Sequence, residues 1–288
     1  MLRAVLLSLR PNQWIKNLFV LAPLIFSKHL FNGPLAIQAF LYALAFCLFS
    51  SAIYLINDVV DRKRDRFHPD KLLRPVAAGT LSAAFALTLA FVVGAIGLTG
   101  GILLSGSAGW LMVLYGANAL LYTFLFKRMV LLDVLFIGAG FVIRVLGGAE
   151  VIAVDPSVWL VLCTFLISLF LGFCKRKQEM EGLSVHGVDH RTVLADYTVE
   201  YLDLMIGVVG ACTVISYALY TMAPETIAKF QTPYLIYTVP FVLYGVFRYL
   251  YHIHVRRNRK SPSEIIFSDV SLLVNGFLFF VAVIFIIY

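Results

Sequence analysis

Long apolar runs separated by short polar segments dominate this chain of 288 residues. A helix needs about 20 apolar residues to cross the hydrocarbon core of a bilayer. Nine runs approach that length, and their connections are too short for a separate soluble domain. We therefore predict an all-α polytopic membrane protein with one domain, residues 1–288, and nine transmembrane helices. The predicted spans are approximately residues 14–31, 36–57, 82–104, 108–126, 130–149, 157–175, 203–223, 232–250 and 265–288.

The composition agrees with this pattern. Hydrophobic residues make up 61% of the chain, charged residues make up 14%, and the mean hydropathy is +0.90. An ordinary soluble domain is only about half apolar. The composition therefore excludes a soluble globular protein and indicates an integral membrane protein.

The distribution of basic residues predicts the orientation, because cytoplasmic loops collect Lys and Arg. Nearly all of the 23 basic residues lie in alternate connections, whereas the intervening connections carry only Lys28 and Lys229. This pattern predicts a cytoplasmic N-terminus. The sequence pI of about 9.2 has a second explanation that stays open, an anionic ligand or lipid at the same face.

Three carboxylates follow the second apolar run, in the segment NDVVDRKRD from Asn57 to Asp65. Offsets of three and four residues place Asp58, Asp61 and Asp65 on one helical face. Hard oxygen ligands suit magnesium shared with substrate phosphates, so we predict a magnesium-diphosphate site at the cytoplasmic membrane surface. The alternative is a solvated helix end whose acids pair with the neighbouring Arg and Lys.

A second acidic group precedes the seventh predicted span. Asp196, Glu200 and Asp203 have offsets of four and three, which again predict one helical face. We expect this group to face the first one across the helix bundle. Because such spacing is common on amphipathic helices, a purely structural role is the alternative.

Basic side chains near the cytoplasmic helix ends are candidates for binding phosphate groups. The positive-inside tendency alone explains many of them. Arg74 is the stronger candidate, because Pro69 and Pro75 bracket its segment and fix the path of the chain. The set is Lys16, Arg62, Arg74, Lys127, Arg128, Lys175 and Arg191.

Arg144 lies eleven residues after Asp133, or about 16 Å deeper along a helix. An intramembrane arginine faces the bundle interior and pairs there. Arg144 could form a buried ion pair with Glu150 or with a carboxylate of another span. The alternative is a role in a polar cavity. Asn118 and Tyr122, four residues apart, suit hydrogen bonds between helices, and Tyr122 is also a candidate substrate-binding residue.

The nine spans, the NDxxDxxxD motif and the second acidic motif resemble the UbiA superfamily of intramembrane prenyltransferases. Three segments are similar to its decaprenyl-phosphate phosphoribosyltransferase branch, namely residues 9–17 (LRPNQWIKN), 68–75 (HPDKLLRP) and 196–203 (DYTVEYLD). The second motif reads DxxxExxD instead of the DxxxD usual in aromatic prenyltransferases, so the number of bound metal ions stays open.

The resemblance implies a UbiA-type helix bundle that transfers 5-phosphoribose from 5-phosphoribosyl 1-diphosphate to a polyprenyl phosphate of the decaprenyl type and releases diphosphate. It implies Mg2+ as cofactor, held by Asp58, Asp61 and Asp65, with Lys16 as a further catalytic residue. The implied substrate-binding set is Asn57, Arg62, Arg74, Tyr122, Lys127, Arg128, Arg144, Lys175, Arg191, Asp196, Tyr197, Glu200 and Asp203. The implied location is the bacterial inner membrane, with the active site facing the cytoplasm.

The expected partners are the two substrates and membrane lipid, and a homo-oligomer stays open. The basic runs lack the interleaved aromatic residues typical of nucleic-acid binding, so we expect no nucleic acid. One alternative is a prenyltransferase that moves an isoprenyl group from its diphosphate to an aromatic or other acceptor. A transporter or flippase is the other, although acids gathered at one membrane face favour an enzyme.

Overall fold

The computed structural model describes residues 1–67, 71–186, 192–256 and 262–288. All regular secondary structure in these ranges is helical, as predicted. The α-helices are α1 (Leu2–Leu9), α2 (Ala22–Phe26), α3 (Gly33–Asp65), α4 (Ala83–Leu104), α5 (Gly106–Phe124), α6 (Leu132–Val151), α7 (Val158–His186), α8 (Val199–Met222), α9 (Pro224–Phe230), α10 (Val239–His254), α11 (Pro262–Ser268) and α12 (Val270–Ile287). Short 3₁₀ helices cover Pro11–Leu21, Lys71–Leu73, Phe126–Arg128, Thr192–Asp196 and Tyr234–Thr238.

Six of the helices in the described ranges are long and apolar enough to cross a membrane, namely α3, α4, α6, α7, α8 and α12. Each contains most of one predicted span. Large apolar side chains point outward from them, for example Phe91 and Phe285, which are 77% and 86% exposed. Lipid, which is as apolar as these side chains, is the environment that such surfaces suit. The protein is therefore a multi-pass membrane protein.

The other three predicted spans differ from simple long helices. Residues 14–31 fold as a 3₁₀ helix followed by the five-residue α2, and residues 232–250 fold as a 3₁₀ helix followed by α10. Pro23, Pro233 and Pro240 lie in these two segments, where each proline removes a backbone donor. Residues 108–126 do form a helix, α5, but it is not among the six candidate spans. Nine spans and the cytoplasmic N-terminus stay predictions.

The chain divides into two compact units, and the first contains Met1–Pro156. Its helices approach one another closely at glycines. A Cβ at Gly97 of α4 would lie 2.7 Å from the carbonyl oxygen of Ala45 in α3, and one at Gly148 of α6 would lie 1.9 Å from the carbonyl oxygen of Val20. Only glycine allows backbones this close, so the packing of α4 on α3 and of α6 on the 3₁₀ helix Pro11–Leu21 depends on these two glycines.

The second unit contains Ser157–His186 and Val193–Tyr288. In it α7 packs against α8, and α10 packs against α12. Asp269 ties α10 to the start of α12. Its carboxylate accepts bonds from Arg248 (2.8 Å) and from the Leu272 amide (2.9 Å), and it lies 2.7 Å from His252 Nε2. That the chain forms one domain stays a prediction.

Candidate active site

The first acidic group lies on the last turns of α3, which continues to Asp65 beyond its apolar part. At about 100° per residue, Asp58 and Asp65 project only about 20° apart around the helix axis, and Asp61 projects about 60° from Asp58. The prediction of a shared helical face is therefore confirmed. The geometry also explains why Asp61 has a different partner from the other two acids.

Arg74 joins the two aligned acids. Its Nη1 atom donates to Asp58 Oδ1 at 3.1 Å and to Asp65 Oδ2 at 2.6 Å, and both aspartates are buried, with 2% and 3% exposure. Arg10 also donates to Asp58 Oδ1. Burial, together with the nearby charge of Arg10, lowers the pKa of the Arg74 guanidinium from its ordinary value. The two acids and two guanidinium groups thus form one compact ionic network.

Arg10 is a site residue that the sequence analysis did not select. It ends α1 in the left-handed backbone conformation, with φ 52°, and its guanidinium lies over the Tyr54 ring, 5.3 Å from the centroid. The available signal was its place in the LRPNQWIKN segment, immediately before Pro11. The distribution of charge alone does not distinguish it from the other basic residues of the predicted cytoplasmic connections.

Asp61 pairs separately with Lys127. The Lys127 Nζ atom donates to Asp61 Oδ1 at 2.7 Å, and Lys127 is only 4% exposed on the 3₁₀ helix that follows α5. Asn57, one residue before Asp58, accepts a bond from Thr123 of α5 at 3.4 Å. These contacts hold the acidic end of α3 against the cytoplasmic end predicted for α5.

Arg144 is buried in the first unit, but it has no acidic partner. It donates to Asn17 Oδ1 (2.8 Å), to the Tyr115 hydroxyl (2.8 Å) and to the Gly140 carbonyl (2.9 Å). No carboxylate of the described residues lies within 4.0 Å of its guanidinium. The predicted alternative of an ion pair with Glu150 or another carboxylate is therefore wrong, because neutral oxygens and aromatic rings surround the charge.

Lys16 lies on the 3₁₀ helix Pro11–Leu21, which docks on α3. Trp14 donates to Ser51 at 3.0 Å, and Asn17 donates to Ser50 at 3.1 Å. The Lys16 side chain is half-buried and lies within electrostatic range of Arg10, Arg144 and Tyr122. Asn118, the partner of Tyr122 in the predicted polar pair, bonds the Phe136 carbonyl at 3.0 Å, so its role between helices is confirmed.

The remaining basic candidates lie in varied surroundings. Arg62 is half-buried, and Arg128 is exposed. The Nζ atom of Lys175 lies 3.9 Å from Glu179. Arg191 lies outside the described residues.

The second acidic group does not form one helical face, which corrects the sequence prediction. Asp196 ends a 3₁₀ helix, whereas α8 begins only at Val199. Thr198 caps α8 by accepting the Tyr201 amide at 3.1 Å, and this cap interrupts the helical spacing. Asp203 pairs with Lys177 at 2.6 Å and with His254 at 3.0 Å.

The other residues of the second motif differ in their exposure to solvent. Asp196 and Glu200 are exposed, while Tyr197 is 4% exposed, with its ring centroid 6.1 Å from that of Tyr201. That this motif joins the first acidic group in one site stays a prediction.

The acidic group of α3 suits a divalent cation by its donor chemistry. Within the described ranges, no three His, Cys, Asp or Glu side chains stand grouped as metal ligands, and Asp61 is paired with Lys127. Asp58 and Asp65, however, already hold one positively charged nitrogen of Arg74 between their oxygens. Carboxylate oxygens are the ligands that magnesium prefers, so these residues fit the ion.

Comparison with known proteins gives consistent results. Residues 18–286 match the model of the UbiA prenyltransferase family. The decaprenyl-phosphate phosphoribosyltransferase of Corynebacterium glutamicum is 33% identical, with 93% of this chain and 81% of the relative covered. The enzyme of the same name from Mycolicibacterium smegmatis is 32% identical, with 84% and 79% covered.

Solved structures show the same fold. A UbiA homolog from Archaeoglobus fulgidus bound to GPP and Mg2+ superimposes with a TM-score of 0.72, covering 96% of this chain and 97% of that one at 19% identity. The apo structure of a UbiA homolog from Aeropyrum pernix gives a TM-score of 0.68, covering 95% and 98% at 19% identity.

Proposed function

Because the chain belongs to the UbiA prenyltransferase family, we propose that it transfers 5-phosphoribose from 5-phosphoribosyl 1-diphosphate to a polyprenyl phosphate of the decaprenyl type. One structural observation carries the proposal. Two buried aspartates hold a single cationic nitrogen between them, with a third aspartate and two more cations beside them. Such a group can bind a cation and the diphosphate that accompanies it.

We further propose that the reaction requires Mg2+, held by Asp58 and Asp65 with Asp61 beside them. The bound ion would neutralise the diphosphate as it leaves. The Archaeoglobus homolog solved with GPP and Mg2+ supports the use of a divalent ion in this fold.

The chain's own cations contribute a second part of the mechanism. Arg10, Arg74 and Lys127, which pair with these carboxylates in the structure, would be available to donate to diphosphate oxygens if the carboxylates held a divalent ion instead. Donors placed where negative charge develops stabilise the transition state. Arg74 can present a guanidinium fork, which matches a phosphate group in geometry.

No strong general base is needed, because the attacking lipid phosphate is already an anion. Catalysis then consists mainly of holding the two substrates in line and screening their mutual repulsion. The polyprenyl tail would lie along the exposed apolar helix faces. The proposed location is the bacterial inner membrane, with the acidic end of α3 facing the cytoplasm, since basic residues gather at that end of the helix.

The second candidate is prenyl transfer from an isoprenyl diphosphate, the class of ligand named for the Archaeoglobus structure. The same carboxylates would serve that reaction. Radiolabel distinguishes the two candidates. With purified protein in lipid nanodiscs, we expect label from 5-phosphoribosyl 1-diphosphate to enter the lipid fraction, provided that polyprenyl phosphate and Mg2+ are present. Label entering only from a prenyl diphosphate would assign the chain to prenyl transfer.

The same assay tests the acidic group through Asp61. Asp61→Asn is expected to lower turnover by at least 100-fold, but it also leaves the buried Lys127 charge without its partner, which destabilises proteins by about 3–5 kcal/mol. The double variant Asp61→Asn/Lys127→Gln removes both charges and should melt close to wild type. A well-folded double variant with near-normal turnover would remove this pair from the mechanism.

A further inference from the structure

The charges of the first unit do not balance at the candidate active site. Asp58, Asp61 and Asp65 are matched by Arg10, Arg74 and Lys127, one cation for each acid. Two further cations, Lys16 and Arg144, are linked through Asn17, which directly follows Lys16 and accepts a hydrogen bond from Arg144 at 2.8 Å. The described residues provide neither of them with a carboxylate within 4.0 Å. Two positive charges with no carboxylate of the described residues beside them suit an anionic ligand.

Arg144 is the more deeply buried of the two cations. It is 4% exposed, and its guanidinium carbon lies 4.5 Å from the centroid of the Tyr115 ring and 5.1 Å from that of Phe141. The rings offset part of the cost of burial, but an isolated buried charge stays costly. A guanidinium has five N–H donors, and Arg144 uses three of them in its hydrogen bonds to Asn17, Gly140 and Tyr115. Donors therefore remain for a ligand.

Lys16 has a fixed backbone and an uncommitted side chain. Trp14 and Asn17, on either side of it, bond Ser51 and Ser50 of α3. The Lys16 ammonium itself makes no hydrogen bond or ion pair with any residue that the structure describes, although the side chain is half-buried. Because its backbone is held in place and its ammonium bonds no described residue, Lys16 is suited to bind a ligand.

We propose that Lys16 and Arg144 form a binding site for a phosphate monoester, separate from the carboxylates that hold the diphosphate. The ligand class rests on the proposed function, because each substrate carries such a group: the lipid its terminal phosphate, and the sugar donor its 5-phosphate. Arg10 connects the two sites, since it bonds Asp58 and lies within electrostatic range of Lys16.

The two sites are set apart along α3. Asn17, the Arg144 partner, bonds Ser50, which precedes Asp58 by eight residues and so lies about 12 Å from it along the helix axis. A phosphate held by Lys16 and Arg144 would therefore lie on the membrane side of the diphosphate. That arrangement lets two anionic groups bind without direct contact.

Binding in the absence of metal isolates this site from the diphosphate site. We would measure calorimetric binding of two probes in EDTA, ribose 5-phosphate and farnesyl phosphate, to the full chain in nanodiscs. Wild type is expected to bind at least one probe, and Lys16→Gln is expected to bind it at least tenfold more weakly. The probe that binds identifies the sugar phosphate or the lipid phosphate as the ligand.

Lys28→Gln is the matched control, because it removes the same charge from an exposed lysine of the same unit, and its affinity should equal that of wild type. Wild type that binds neither probe, or Lys16→Gln that binds as tightly as wild type, would overturn the proposal. Phosphoribosyl transfer by wild type would survive either result. Conversely, probe binding without any phosphoribosyl transfer would refute the proposed function and leave this anion site in place.

Discussion

Individual side chains in this protein show how buried charges are kept in balance. Arg74 serves two aspartates with one nitrogen, Arg10 reinforces one of them, and Lys127 serves the third. Removing one member of such a network leaves its partner charged and buried, which costs more than removing a whole pair. Paired substitutions are therefore the informative ones at this site.

Asp269 gives a pH-dependent prediction of the same kind. Hydrogen bonds from Arg248, and also from the Leu272 amide and His252, hold the pKa of the Asp269 carboxyl well below its usual range. The folded state thus binds fewer protons at this group than the unfolded state does. Its contribution to stability is present above the ordinary aspartate pKa and is lost as the pH falls toward the folded pKa.

We expect the melting temperature of the wild-type protein in detergent to fall between pH of about 5 and about 3.5, where unfolded aspartate takes up protons. Asp269→Asn keeps an oxygen for the Leu272 amide but not the charge. Its melting temperature should be lower than that of wild type at pH of about 7 and should fall less on acidification. Parallel curves for the two proteins would show that this carboxylate does not contribute as described.

Among the helices, close backbone contact determines which substitutions are tolerated. Gly148 of α6 lies against the 3₁₀ helix Pro11–Leu21, and an added Cβ would come within 1.9 Å of the Val20 carbonyl oxygen. Gly148→Ala must therefore push the two segments apart. We expect a loss of at least about 2 kcal/mol, typical of overpacking, with a lower melting temperature in detergent.

Gly207→Ala in α8 is the control, since a Cβ there would meet no atom within 4 Å. Alanine is the better helix former by up to about 1 kcal/mol, so this variant should melt at or above the wild-type temperature. Equal melting temperatures for the two variants would argue against the close packing of α6.

The helices also show what the sequence can and cannot predict. Apolar run length predicted α3, α4, α6, α7, α8 and α12, because a span of about 20 residues needs no tertiary information. It did not reveal that Pro11–Leu21 forms a 3₁₀ helix that bonds α3, and the span over residues 14–31 stays a prediction. Helical spacing failed at Asp196, because Thr198 caps α8, which begins at Val199, three residues after the 3₁₀ helix ends.

The site was predictable to a similar degree. Helical spacing correctly placed Asp58, Asp61 and Asp65 on one face. It could not identify Arg10 as a partner of Asp58, or Asn17 and Tyr115 as partners of Arg144, because these contacts join residues 29 to 127 positions apart. Contacts at such separations depend on how the helices pack, which a single sequence does not reveal.

Across the whole chain, the orientation in the membrane is the prediction with the widest consequences. Lys63 and Ser107 are exposed, and α4 alone separates the helices that carry them. In a variant without the native cysteines, we expect Lys63→Cys to react with an impermeant maleimide only in inside-out vesicles. Ser107→Cys should react only in right-side-out vesicles. Labelling with the opposite preference would place the acidic end of α3 outside the cell.

The backbone of Arg10 carries a consequence for how this protein can vary. A side chain in the left-handed region costs roughly 1–2 kcal/mol, which glycine would avoid. Glycine at position 10 would, however, leave Asp58 with Arg74 as its remaining cation. Losing a partner of a buried charge costs about 3–5 kcal/mol, which exceeds the strain that glycine would relieve, so selection for thermal robustness and selection for turnover should both retain arginine at this position.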